Sequence, residues 1–281
     1  MPRRTTMHDI AHRAGVSPAT VSRTIHSPHL VRPETRERVR RIMEASGYVY
    51  DAVAGEMSRK KTSVIGLIIP TVKSSIFARS THGIQEKAQA EGFSVIIGNT
   101  NYKPQTEADL LRLFQERRVA GLILTGIAPG MKRLVQDLPE RGTPCVVTWE
   151  TFNNEAINYV GFDNFKAAYL ATQHLLSLKH RRVGLICGPF SKVERVGQRL
   201  NGYRAALQDH GLEYDPELVI EKDYTLIEGK EAMQRLLALR PRPTAVFAAS
   251  DVLAMGALTA ARESGLRVPE DISLVGFDDI D

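Results

Sequence analysis

From Val64 onward, short runs of β-branched and aliphatic residues alternate with amphipathic stretches at helical spacing, and the whole series occurs twice. The first pass places Val64–Ile69 before Ile76–Glu91, Phe93–Gly98 before Pro104–Arg117, Val119–Leu124 before Met131–Leu138, and then Pro144–Thr148. The second places Tyr159–Phe162 before Phe165–Leu178, Arg182–Cys187 before Arg195–His210, and Leu218–Glu221 before Ile227–Leu239. Thr244–Ala248 then precedes Val252–Ser264, and Ile272–Phe277 follows. Parallel strands need a crossover, usually a helix, so this alternation predicts a mainly parallel, doubly wound sheet. Two such series predict an α/β core of two doubly wound parallel-sheet subdomains over 64–281, with lobes at about 64–155 and 156–281. Ligands of open α/β sheets bind beyond the carboxyl ends of the strands, so two facing sheets would hold one between them.

The first sixty residues follow a different rule. Met7–His26, MHDIAHRAGVSPATVSRTIH, holds a helix, a forced turn and a second helix. Ile10, Ala11 and Ala14 share one face, and Gly15 stands where a chain leaving a helix needs a left-handed residue. Ser17 can cap the next helix, and Pro18 costs no hydrogen bond in its first turn. Val21 and Ile25 then face the first helix, while Ala19, Thr20, Ser22 and Arg23 face outward. That outer surface is small and polar with one guanidinium, which suits a major groove, where Arg can grip guanine with two hydrogen bonds. Pro33–Gly47 reads as a third helix, with Val39, Ile42 and Met43 on one face, completing an all-α helix-turn-helix headpiece over 1–49. Residues 50–63 read as a hinge and linker.

An ordinary helical hairpin would show the same spacing, and charge argues against it. Residues 1–61 hold twelve Lys/Arg against six acids, whereas the other 220 residues hold 25 bases against 26 acids. All the excess positive charge therefore lies with the helix-turn-helix, as a polyanionic partner docking there would require.

The rest of the chain shows no nucleotide or catalytic fingerprint at its strand ends. Val64–Ile69 runs into Pro70 rather than a G-x-G-x-x-G turn, and neither G-x-x-x-x-G-K-[ST] nor G-x-S-x-G occurs. The eight histidines are scattered along the chain, so no metal, cofactor or catalytic residue is expected. Cys145 and Cys187 lie apart in apolar runs and read as buried small hydrophobes in a reducing cytoplasm. Apolar runs fall far short of the roughly 20 residues a membrane helix needs, and no apolar segment follows Arg3 and Arg4 to make a secretory signal. The expected location is cytoplasmic, with no membrane partner.

The segments DIAHRAGVSPATVSRTI, VRPETRERVRRIMEASGY, IGLIIP and RPTAVFAASDVLAMGALTAARESGLRVPEDISLVGFDDID resemble the signatures of the LacI/GalR family of bacterial repressors. The resemblance runs from about Thr6 to Asp281. It implies a homodimer that reads double-stranded, pseudo-palindromic operator DNA, with a small-molecule effector between the lobes changing DNA affinity. By position it implies base contacts from Pro18, Ala19 and Arg23, with Thr20 and Ser22 nearer the phosphates and Ser17 also on the DNA-binding surface. Pro18 and Ala19 can read only shape and thymine methyls, so direct readout rests on Arg23. A hinge helix over Asp51–Ser58 would put Met57 at the position that wedges into the minor groove, with Ala54 beside it. Gly55 costs about 1 kcal/mol there relative to alanine.

The resemblance places the effector against Ile76 and Phe77 after the first strand, Arg199, Tyr224 at a stacking position, Ser250, and Asp278 after the last strand. An aromatic ring beside fixed Arg and Asp suits a carbohydrate-like ligand, a sugar or sugar acid. Ser75 and Ile76 stand where family members carry Asn or an aromatic. Arg195, one turn before Arg199, reads equally as a contact for an acidic group and as a structural ion pair. Asp251 reads as the first-turn acid of its helix. Family members continue past GFDDID into a last crossover and part of the dimer surface, so a form ending at Asp281 is expected to dimerise poorly. The competing reading is a solute-binding protein of the periplasmic type, which shares the two-lobed core but has no use for residues 1–61. An enzyme carrying a DNA-binding head would need a nucleophile, base or metal set, and none is readable.

Overall fold

A computed structural model describes residues 5–50, 62–152 and 157–280. The chain divides into two compact units, Met1–Lys61 and Thr62–Asp281.

In the first unit, α1 (Met7–Ala14), α2 (Pro18–His26) and α3 (Pro33–Ala45) close over Ile10, Ala11, Ala14, Val21 and Val39, with Ile25, Ile42, Met43 and Tyr48 packed against them. The helix ends are set by their local sequence. Thr6 and Asp9 form a reciprocal capping box on α1, and Gly15 ends it at φ 61°. Ser17 Oγ accepts from the Thr20 N–H at 3.2 Å, and Pro18 opens α2. The inward face of α2 is wider than the expected Val21 and Ile25, because Thr24 is buried and Ile25 only partly so. Thr24 tolerates burial by donating its hydroxyl to the Thr20 carbonyl at 2.9 Å.

The second unit contains two parallel sheets. The first orders β1 (Val64–Ile69), β2 (Ser94–Asn99), β3 (Gly121–Thr125), β4 (Cys145–Thr148) and β5 (Asn158–Val160) as β2-β1-β3-β4-β5. The second orders β6 (Val183–Cys187), β7 (Val219–Glu221), β8 (Ala245–Ala248) and β9 (Ser273–Val275) as β7-β6-β8-β9, again with every pair parallel. The crossovers run through α4 (Ser75–Ala90), α5 (Pro104–Glu116) and α6 (Lys132–Gln136) in the first lobe. The strand expected to open the second lobe, β5, instead closes the first sheet beside β4, so α7 (Asn164–Ser177) leads from the first sheet to the second, whose crossovers run through α8 (Glu194–Asp209), α9 (Leu226–Ala238) and α10 (Asp251–Glu263).

The second sheet shows why its strands read as continuous apolar runs. Leu185 and Phe247 point to the side covered by α7 and α8, whereas Ile186 and Val246 point to the side covered by α9 and α10. Alternate side chains of one strand thus enter two different cores, and β6 and β8 are buried along their whole length. Cys187 lies in the first of those cores and Cys145 in the core of the other lobe, both as free thiols. The strand expected over Tyr159–Phe162 is instead Asn158–Val160. It ends before Gly161, whose missing side chain lets the chain pass close to the Glu150 backbone, with which a Cβ would collide. Among the described residues, no helix is long and apolar enough to cross a membrane.

Candidate functional site

The outward face of α2 carries Ala19 and Arg23 exposed, with Pro18, Thr20 and Ser22 half-buried at its margins. Ser17 is exposed, but its oxygen is engaged with Thr20 N–H and, at 3.0 Å, with the Thr20 hydroxyl. This pairing orients both hydroxyls at the helix N-terminus, where backbone N–H groups and the helix dipole favour an anion such as a phosphate. Ala54 and Met57 lie outside the described residues, as does the hinge segment to which they were assigned.

In the second unit, the strand order reverses at β1/β3 and again at β6/β8, the switch points at which open α/β sheets bind ligands. A cavity of about 460 Å³ sits there, lined by residues that follow β1, β2, β4, β6, β7, β8 and β9. Ile76, Phe77, Arg199, Tyr224, Ser250 and Asp278, all assigned from sequence, line it together. Reading the sequence missed Asn101, Tyr102, Trp149, Lys192 and Asp223 in the same wall. Each follows a strand end, so the strand-end rule could have singled them out once the boundaries were known.

The backbone around the cavity is held in uncommon geometry. Of seven non-glycine residues with positive φ among those described, Asn101, Tyr102, Trp149 and Asp278 line this wall. Such conformations cost free energy and cluster where side chains must be aimed at a ligand. The aromatic lining forms two pairs: Tyr102 and Tyr224 lie 5.5 Å apart between ring centroids, and Phe77 meets Trp149 edge-on at 5.9 Å. These rings offer flat apolar faces between polar groups.

Arg199 is almost fully buried and fixed on three sides. Its Nε donates to Asn164 Oδ1 at 2.9 Å, its Nη1 donates to the Ala249 carbonyl at 2.7 Å, and its Cζ lies 3.8 Å from the Phe277 ring centroid. Burial lowers its pKa, opposed by Tyr224 and Asp278. Burial pushes the Asp278 carboxyl up to about 6, against the pull of Arg199. Tyr224 is raised by burial and opposed by Arg199 and Arg195, so it remains a neutral phenol that can donate or accept. The Asp251 carboxylate does more than begin its helix. It accepts from the N–H groups of Phe277 at 2.8 Å and Ile280 at 3.0 Å, pinning the loop that presents Asp278.

Arg195, which lines the same cavity, reaches from α8 to the first lobe, where Nη1 donates to the Thr125 carbonyl at 3.3 Å and lies 3.9 Å from Glu150 Oε1. Glu150 is wholly buried, and burial pushes its pKa up to about 7 despite Arg195 and the Ile127 N–H. Glu107 nearby accepts from the Ala128 N–H at 3.1 Å, and burial raises its pKa as well. Among the described residues, no group of three or more His, Cys, Asp or Glu is placed to hold a metal ion.

Residues 6–51 match the family described as “Bacterial regulatory proteins, lacI family”, and residues 62–281 match “Periplasmic binding proteins and sugar binding domain of LacI family”. The chain is 36% identical over 277 residues to the HTH-type transcriptional repressor CytR of Escherichia coli (strain K12), covering 98% of this chain and 80% of that protein. Among solved structures, it is similar to the Lac repressor dimer bound to operator and the anti-inducer ONPF. There the TM-score is 0.84 at 28% identity, over 99% of this chain and 84% of that one. The transcriptional regulator CelR in complex with cellobiose matches with a TM-score of 0.66 at 33% identity, over 98% of this chain and 83% of that one.

Proposed function

This chain belongs to the LacI family of bacterial regulatory proteins, a DNA-binding transcriptional regulator with an effector-binding domain and not an enzyme, and from that membership we propose its working parts. It acts as a cytoplasmic homodimer that represses transcription from a pseudo-palindromic operator. The headpiece over 1–49 reads DNA, residues 50–63 form the hinge, and the core over 64–281 binds the effector. Arg23 makes the direct base contact, Pro18 and Ala19 read shape and thymine methyls, and Ser17, Thr20 and Ser22 hold phosphates. Ala54 and Met57 of the hinge meet the minor groove.

The effector is carbohydrate-like, a sugar or sugar acid, held by Ile76, Phe77, Arg199, Tyr224, Ser250 and Asp278. The observation that carries this reading is that these six residues, spread over some two hundred positions of sequence, line one cavity at the strand ends. Aromatic faces beside buried donors and acceptors match a molecule with apolar ring faces and equatorial hydroxyls. The cellobiose bound to the related CelR supports the class.

The test is an operator selected from random duplexes with the purified protein, followed by titration of sugars and sugar acids against the complex. A compound that quenches or enhances the fluorescence of Trp149, the chain's single tryptophan, and shifts operator affinity at the same midpoint supports the reading. Compounds that occupy the cavity with no change in operator affinity would sink it.

A further inference from the structure

We infer that the effector is an acid and that its anionic group, a carboxylate or a phosphate ester, binds Arg195. This rests on the cavity being the effector site, and it names the chemical class that the site selects.

The two arginines one helical turn apart on α8 are in different states. Arg199 is committed to Asn164, Ala249 and Phe277. Arg195 is 6% exposed and lines the cavity, yet of the five donors a guanidinium carries, one makes a hydrogen bond among the described residues, the long one to Thr125. Glu150 supplies opposite charge at 3.9 Å, beyond hydrogen-bond distance, and among the described residues neither of its buried carboxylate oxygens has a well-formed hydrogen bond, the nearby Ile127 N–H exerting only a partial pull. A buried ion pair is favourable only when further hydrogen bonds satisfy both partners, and this one lacks them. The site is built to hold Arg195 in that condition. Gly126, at φ 71° after β3, leaves room that a Cβ would take from Arg195 Nη1, and that Cβ would also sit 2.9 Å from Glu150 Oε1.

An anion entering the cavity completes the guanidinium with a charge-assisted bidentate pair, roughly twice as strong as the neutral hydrogen bonds that sugar hydroxyls offer. Lys73 and Lys192 line the same cavity and add positive charge at its wall. The opposing carboxylates are Asp223 and Asp278 in the wall, with Glu107 and Glu150 on the far side of Arg195. Asp278 is matched by Arg199, and Glu150 competes directly with the ligand for Arg195. Removing that competitor should therefore tighten binding of an acid, the reverse of what loss of a structural salt bridge would do.

The experiment uses the full chain, Trp149 fluorescence, and a panel of glucose, galactose, mannose and fructose with their aldonates, uronates and 6-phosphates. Acetate and inorganic phosphate serve as simple anions. At least one acid should bind ten-fold or more tightly than its neutral parent, and the aldonate, uronate and phosphate arms identify which anion it is. Arg195→Gln should bring the acid-over-neutral ratio toward one, and Glu150→Gln should raise the affinity for the acid. Neutral sugars binding as well as their acids would overturn the inference while leaving the cavity as a sugar site. Equal losses for acid and neutral ligands in Arg195→Gln, or weaker acid binding in Glu150→Gln, would overturn it too, because both are the signature of a structural pair. Acetate or phosphate saturating as tightly as any sugar acid would overturn it as a bare anion site, and silence across the panel would remove both the inference and the carbohydrate reading.

Discussion

Asn164 holds Arg199 in the wall of the cavity: its carbonyl oxygen accepts from Arg199 Nε at 2.9 Å while its amide donates to the Trp149 carbonyl at 2.9 Å. One buried side chain thus ties a lining arginine of the second lobe to the end of β4 in the first. The Asn164→Ala variant leaves a charged donor and a backbone carbonyl without partners, and each such loss costs about 1–3 kcal/mol. Urea denaturation should show a destabilisation of ~2–6 kcal/mol, with weaker effector binding. Full stability in Asn164→Ala would mean that water replaces both bonds.

Gly202 lets α7 and α8 approach closely, because a Cβ there would collide with the Phe165 carbonyl oxygen and lie 2.9 Å from Tyr169 N. Those obstacles are backbone atoms, which cannot move without separating the helices. Gly202→Ala is expected to destabilise the second unit by about 1–3 kcal/mol despite alanine's better helix propensity. A rise in thermal midpoint would contradict the close approach.

Asp251 accepts from two backbone N–H groups of the loop that presents Asp278. Asp251→Ala should cost about 1–3 kcal/mol in stability and loosen Asp278, raising the effector dissociation constant. Asp251→Asn keeps acceptor capacity at one oxygen only and should lie between the two. Calorimetric titration of the three proteins orders them.

Glu150 makes stability depend on pH in a defined direction. Burial lifts its pKa from 4.5 to about 7, so the folded chain binds this proton more readily than the unfolded chain does. Stability therefore falls as pH rises from the lower value through the higher one, and the loss is complete above it. Asp278, raised from 3.8 to about 6, acts in the same sense over a lower range. Glu150→Gln should remove the first contribution, so its advantage over the parent grows to ~3 kcal/mol between about pH 5 and about pH 8. Denaturation curves for the two proteins that stay parallel across that range would refute the assignment.

Arg23, exposed on the outward face of α2, carries the proposed base contact. Arg23→Ala should weaken binding to the selected operator by about 1–3 kcal/mol and change binding to random duplex much less, since a base contact carries sequence information. Equal losses on both DNAs, read by fluorescence anisotropy at fixed salt, would make Arg23 a phosphate contact.

What the sequence determined by itself are the features set by near neighbours. Gly15, Ser17 and Pro18 specify a helix end, a cap and a start within four residues, and the helix-turn-helix follows from them. Alternating strand and helix periods specify two parallel sheets, because parallel strands cannot be joined otherwise. Similarity to a known family then places six residues that line one cavity. Tertiary structure alone decided how that wall is built. Arg195 meets a carbonyl 70 positions away, and Arg199 meets one 50 positions away, so no local pattern records either contact. Glu150, Asn164 and Trp149 gain their roles because β4 ends beside α7, and Thr24 is buried because its hydroxyl can be satisfied within its own helix. Caps and periodicity act over a turn or a strand, whereas burial, desolvation and ion pairing depend on which distant segments meet.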